Sequence, residues 1–154
     1  MKKLIAAIIL TSICLMVPVF AQQPEWDNPT APPSVRFAPL HIYLDSGSQA
    51  LAAFQFELKA TAGQIKIVGV EGGQHPAFQE PPYYDPAALA NDRIIIAAFN
   101  TGSDLPEGRT RVATIHLQII GEAEPEYELE LTVAADTDGS QFPAEITFEK
   151  GEQK

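Results

Sequence analysis

The chain has 154 residues, one cysteine, ten basic and twenty acidic side chains, and a formal charge of −10. That length leaves room for one ordinary domain. A surface of this sign repels phosphate backbones and anionic lipid, which argues against nucleic-acid and peripheral membrane binding.

Lys2 and Lys3 precede an almost unbroken apolar run from Leu4 to Val17, and Val19-Phe20-Ala21 has the small-residue spacing that a signal peptidase reads. Residues 1–21 are therefore expected to be a signal peptide that exports the chain to the periplasm or the medium. The run is shorter than the ~20 residues that span a bilayer, so no membrane insertion is expected after cleavage. Cys14 leaves with the segment, and a mature protein without a thiol has neither disulfides nor thiolate metal sites. Losing Lys2 and Lys3 carries the formal charge from −10 to −12. Solubility accounts for such a charge, with calcium or a basic partner left open.

Residues 22–34 hold Pro24, Pro29, Pro32 and Pro33, which fix φ and remove donors, so they read as an extended spacer. Trp26 is its one large apolar residue. Val35 to Phe37 and His41 to Leu44 read as two opening strands interrupted at Pro39, and Asp45-Ser46-Gly47-Ser48 as a turn.

From Leu51 to Leu58 the even positions Ala52, Phe54, Phe56 and Leu58 are apolar, while Ala53, Gln55, Glu57 and Lys59 fall on the other side. That alternation predicts a half-buried strand with Gln55 and Glu57 facing outward. The next strand carries Ile65, Ile67 and Gly69 on one face and Lys66, Val68 and Val70 on the other, ending at Gly72-Gly73. His75 to Asn91 contains four prolines and reads as a surface excursion, with one helical turn where Asp85 caps and Pro86 takes the first position. Arg93 to Phe99 is apolar on both faces, predicting either a strand covered on both sides or one with an apolar outer face for a partner.

Ala113, Ile115, Leu117 and Ile119 define one further strand, and Tyr127, Leu129, Leu131 and Val133 another. The short link Gly121 to Pro125 predicts that the two pair antiparallel. After the acidic turn Asp136-Thr137-Asp138-Gly139, a last strand holds Phe142, Ile146 and Phe148. Eight or nine short strands with almost no helical periodicity predict an all-β antiparallel β-sandwich over 35–149, with residues 150–154 as a tail.

The order of these motifs resembles the cohesin domain, a jelly-roll sandwich related to family 2 and 3 carbohydrate-binding modules. The residues that carry the resemblance begin with Leu51 to Leu58, of the form apolar-Ala-x-Phe-x-Phe-x-Leu. They continue with Ile65 to Gly73, Asn91 to Phe99, Val112 to Ile119 and Asp136 to Gly139. The resemblance implies a non-catalytic domain that binds a dockerin-type protein partner through an outer sheet face, with Ala53, Gln55, Glu57 and Arg93 as contacts. Ala53 and Gln55 stand where dockerin-binding members more often carry Asn and Asp, and Lys59-Ala60-Thr61-Ala62 stands where the family has Tyr-Asp-Pro.

The paired Tyr83 and Tyr84, with Trp26, offer a second reading, because flat aromatic faces suit sugar rings and would make the chain a polysaccharide-binding module. The three histidines are isolated in sequence and no nucleophile-base pair or carboxylate pair stands out, so no catalytic residues, no metal site and no cofactor are expected. Asp136-x-Asp138-Gly139 opens like a calcium loop, yet Thr147 stands where such a loop needs Glu.

Overall fold

A computed structural model describes residues 32–152; the expected signal peptide, Trp26 and most of the spacer lie outside them. Eight strands follow in order: β1 Val35–Asp45, β2 Ala53–Ala62, β3 Gln64–Gly72, β4 Tyr83–Tyr84, β5 Arg93–Phe99, β6 Arg109–Ile120, β7 Glu126–Ala135 and β8 Glu145–Lys150. They form two antiparallel sheets of order β3-β6-β1-β8 and β4-β5-β2-β7. The chain is a β-sandwich, and apart from β4–β5 each connection crosses from one sheet to the other, the alternation of a jelly roll.

The period-two patterns fill the space between the sheets. Leu40, Ile42 and Leu44 of β1 and Ile115 and Leu117 of β6 meet Phe54, Phe56 and Leu58 of β2 and Ile94 and Ile96 of β5, all at most 2% exposed. Each such side chain contributes about 1.5–3 kcal/mol by leaving water. Phe54 anchors the middle, with Phe56 stacked 6.0 Å away and Phe78 edge-on at 5.1 Å.

The structure corrects six expectations. β1 runs unbroken through Pro39, because β8 ends at Lys150 opposite Leu40, so the proline nitrogen meets no ladder partner there; the Pro39 carbonyl still accepts from the Gly151 N–H at 2.9 Å. In β3 the register slips between Ile67 and Gly69, a bulge that leaves Val68 exposed and turns Val70 onto the core. Among the described residues β5 is covered on one side only: Ile94 and Ile96 are buried, while Ile95 and Phe99 are exposed.

β6 and β7 do not pair. Each presents an apolar stripe, and the short link carries the chain across the core, so the stripes face one another from different sheets. The excursion after Gly73 is not wholly superficial, since Phe78 is 4% exposed and Tyr83–Tyr84 form β4. Phe142 precedes the last strand, packing on the core while its N–H donates to the Ala134 carbonyl.

The turn foreseen at Asp85 is present as a 3-10 turn over Pro86–Ala88, where the Asp85 carboxylate accepts from the Ala87 N–H at 2.9 Å. A second such turn, Pro76–Phe78, is capped by His75.

Tyr127 sits edge-on to Phe148 at 5.6 Å, and burial, followed by the charge of Glu124, pushes its hydroxyl up to about 12. A folded-state value above the unfolded one leaves stability intact below the ordinary tyrosine range. Stability then declines as pH rises from about 10 towards 12. Tyr127→Phe is therefore expected to flatten the alkaline limb of a denaturation profile recorded against pH.

Candidate functional site

The outer face of the β4-β5-β2-β7 sheet brings together most of the residues expected to bind. Alternation along β2 turns Ala53, Gln55 and Glu57 outward, and the register sets Ala53 between Phe99 and Ala135, and Gln55 between Ala97 and Val133. Arg93, diagonal to Glu57 across the β2–β5 ladder, grips its carboxylate with two bonds, Nε to Oε1 at 2.6 Å and the guanidinium NH2 to Oε2 at 2.8 Å. That hydrogen bond and charge hold the Glu57 carboxyl below its usual range.

The pair is exposed, so it fixes geometry more than it stabilises the fold. Because the folded-state value is depressed, its contribution is present above the unfolded glutamate range and is lost as pH falls through the folded one. Arg93→Ala is expected to return the Glu57 titration, followed by carboxyl NMR, to the ordinary glutamate range while leaving the melting temperature within a few degrees. An unchanged Glu57 titration would refute the assignment.

Toward β4 the same face becomes apolar. Tyr83 is 67% exposed and Phe99 65% exposed, with rings 11° from parallel and centroids 5.9 Å apart, and Ile95 is 46% exposed beside them. Toward β7 it becomes acidic, with Glu128 and Glu130 opposite Lys59 and Glu57. The two tyrosines separate: successive residues of a strand point to opposite sides, so Tyr84 packs on the core and Tyr83 alone faces outward. Trp26 lies outside the described residues.

Ile95 and Phe99 belong to the face although the sequence did not single them out as contacts. The run Ile94-Ile95-Ile96 carried the signal, since a strand with apolar residues at consecutive positions must show one of them outward unless a further layer covers it. A groove of about 570 Å³ runs beside β5, lined by Tyr83, Asp85, Ala88 and Ile95 among others.

The three histidines lie apart. His41 Nδ1 is 3.1 Å from Thr114 Oγ1, His75 Nδ1 accepts from the Ala77 N–H, and His116 Nε2 stands 3.0 Å from Glu71 Oε1. The Asp136 carboxylate accepts from the N–H groups of Asp138 and Ser140, closing its own turn. Among the described residues no group of three or more His, Cys, Asp or Glu is placed to hold a metal ion, and no helix is long and apolar enough to cross a membrane.

What these residues define is a two-sheet β-sandwich with an apolar and acidic patch on one flat exterior. No family model, no curated protein and no solved structure matches the chain.

Proposed function

We propose that the chain is an exported, non-catalytic interaction module that receives a protein partner, of the dockerin type that the cohesin resemblance implies, on the outer face of the β4-β5-β2-β7 sheet. The observation that carries this reading is the strip of Tyr83, Ile95 and Phe99, large apolar side chains left in water side by side rather than scattered. Ala53 and Gln55 extend the strip, and the Glu57–Arg93 pair borders it, giving an apolar centre with a charged rim. With Ala53 and Gln55 in place of more strongly polar side chains, affinity comes from burying the strip rather than from directional hydrogen bonds.

A photo-crosslinking residue at Gln55, compared with one at Gln118 on the opposite sheet, tests the reading in the producing cell. A protein adduct at position 55 and none at 118 is expected; adducts at neither position would overturn the proposal.

One observation favours a second reading, binding of a polysaccharide: Tyr83 presents an exposed ring nearly parallel to that of Phe99. In that case Tyr83→Ala would abolish retention on a glycan array while Tyr84→Phe would not. Equal retention by the Tyr83 variant and the parent would dispose of this version.

A further inference from the structure

The edge of β5 carries an inference beyond the sheet face. The Ala60 N–H donates to the Asp92 carbonyl at 2.9 Å, and the Asn100 N–H donates to the Ala52 carbonyl at 2.8 Å. Between them the register of β2 with β5 is unbroken, from Ala53 opposite Phe99 to Lys59 opposite Arg93. In an antiparallel ladder successive residues turn their backbone groups to opposite neighbours. Even-numbered residues of β5 therefore bond to β2, and odd-numbered residues turn their N–H and C=O groups the other way.

On that other side stands β4, only two residues long, reaching Ala97 through Tyr83 and Ile96 through Tyr84. Beyond Tyr84 the chain leaves the ladder for the turn Pro86–Ala88, where the Asp85 carbonyl accepts from the Ala88 N–H. Among the described residues, the N–H groups of Arg93 and Ile95 have no strand beside them. The 570 Å³ groove lies along this stretch. Its lining includes Ile94 from the inner face of β5 and Ile95 and Ala97 from the outer face, so it borders the edge of the sheet as well as its face.

We infer that this edge accepts an extended, basic peptide segment, which adds to the sheet as a short strand in line with β4. An unpaired row of backbone groups is the template for strand addition. The small side chains of Ala87 and Ala88 in the groove wall leave space for alternate side chains of the incoming segment. Charge sets the sign of the occupant. The Arg93 guanidinium is already held by Glu57, whereas no cation pairs with Asp85 in the groove among the described residues, and the chain as a whole carries −10.

Tyr83 and Ile95 border both this groove and the exposed strip, but strand addition rests on backbone N–H groups, so N-methylation of the peptide tests it apart from the proposed face. The probe is a fluorescent eight-residue peptide of alternating lysine and valine, titrated into the protein as its own cell produces it. Binding is expected, together with slowed amide exchange at Ile95. An alternating glutamate–valine peptide, and the lysine–valine peptide N-methylated at every second residue, are expected to bind at least ~tenfold more weakly.

In the protein, Ile95→Pro removes the edge N–H without removing a bond to β2. It is expected to keep the parent circular dichroism and to lose peptide binding, while Ile95→Ser, which retains the N–H, keeps it. No binding of the lysine–valine peptide, equal binding of its N-methylated form, or full binding by folded Ile95→Pro would each overturn the inference. Peptide binding with no crosslink at Gln55 would leave this inference standing and remove the face proposal alone.

Discussion

Gly73→Val will leave no cooperatively folding protein. A Cβ at Gly73 would lie 2.2 Å from the carbonyl oxygen of Arg111 and 3.0 Å from the Cα of Val112, both backbone atoms of a central strand that cannot swing aside. The same stretch is tied down from both sides, because the Gly73 N–H donates to the Phe78 carbonyl at 2.7 Å and the Gln74 N–H to the Arg111 carbonyl at 2.9 Å. Relief requires β6 to move or these bonds to break. Losses above about 4 kcal/mol arise from such overpacking combined with broken backbone bonds. A thermal melt by circular dichroism gives the answer: a melting temperature within a few degrees of the parent would mean that the approach of Gly73 to β6 is not as close as described. Gly72→Val is expected to behave alike, its Cβ falling 2.1 Å from the Gln79 carbonyl oxygen.

Phe78→Ala is the second large effect, with an expected loss of about 3–5 kcal/mol from the cavity left beside Phe54. Its consequence extends beyond stability. Phe78 pins the excursion between β3 and β5 to the core, and the same excursion carries Tyr83 and the Asp85 turn to the edge of β5. Phe78→Ala is therefore expected to speed amide exchange at Tyr83 and Ala97 more than in β1, whereas Phe78→Leu costs less and keeps Tyr83 in place. Uniform acceleration across all strands would show that the ring fills volume without positioning the loop.

The elements that could be read from the sequence were those whose signal is local. Phe54, Phe56 and Leu58 alternate with Gln55 and Glu57, and the strand and its outward pair follow from period two alone. Asp85 before Pro86 marked a capped turn by side-chain chemistry within three residues. What escaped depends on neighbours distant in the chain. Pro39 is tolerated because β8 has ended alongside it, a fact of pairing between residues more than a hundred positions apart.

Val70 changes face because a bulge at Val68 shifts the phase, and nothing in Ile67-Val68-Gly69-Val70 announces the slip. A link as short as Gly121 to Pro125 serves a hairpin and a crossing between sheets equally, so the partners of β6 and β7 could not be chosen from it. Phe78, alone among prolines, has no period to declare it buried. At the candidate site the outward set on β2 was legible, the division of Tyr83 from Tyr84 followed only once β4 was known to be a strand, and Ile95 and Phe99 needed the knowledge that none of the described residues forms a layer over the outer face of β5.

The alternation of strands between sheets governs when the chain can fold. Of the described strands only β4 and β5 are neighbours both in sequence and in a sheet, and β1 finds its second partner in β8 across a hundred residues, Asp45 opposite Glu145. Ladders of such long loop closure form slowly, on the millisecond-to-second scale. A growing chain thus holds no complete first sheet until β8 emerges, and a copy cut short before Glu145 leaves β1 with a bare flank, open to the corresponding strand of a neighbouring molecule.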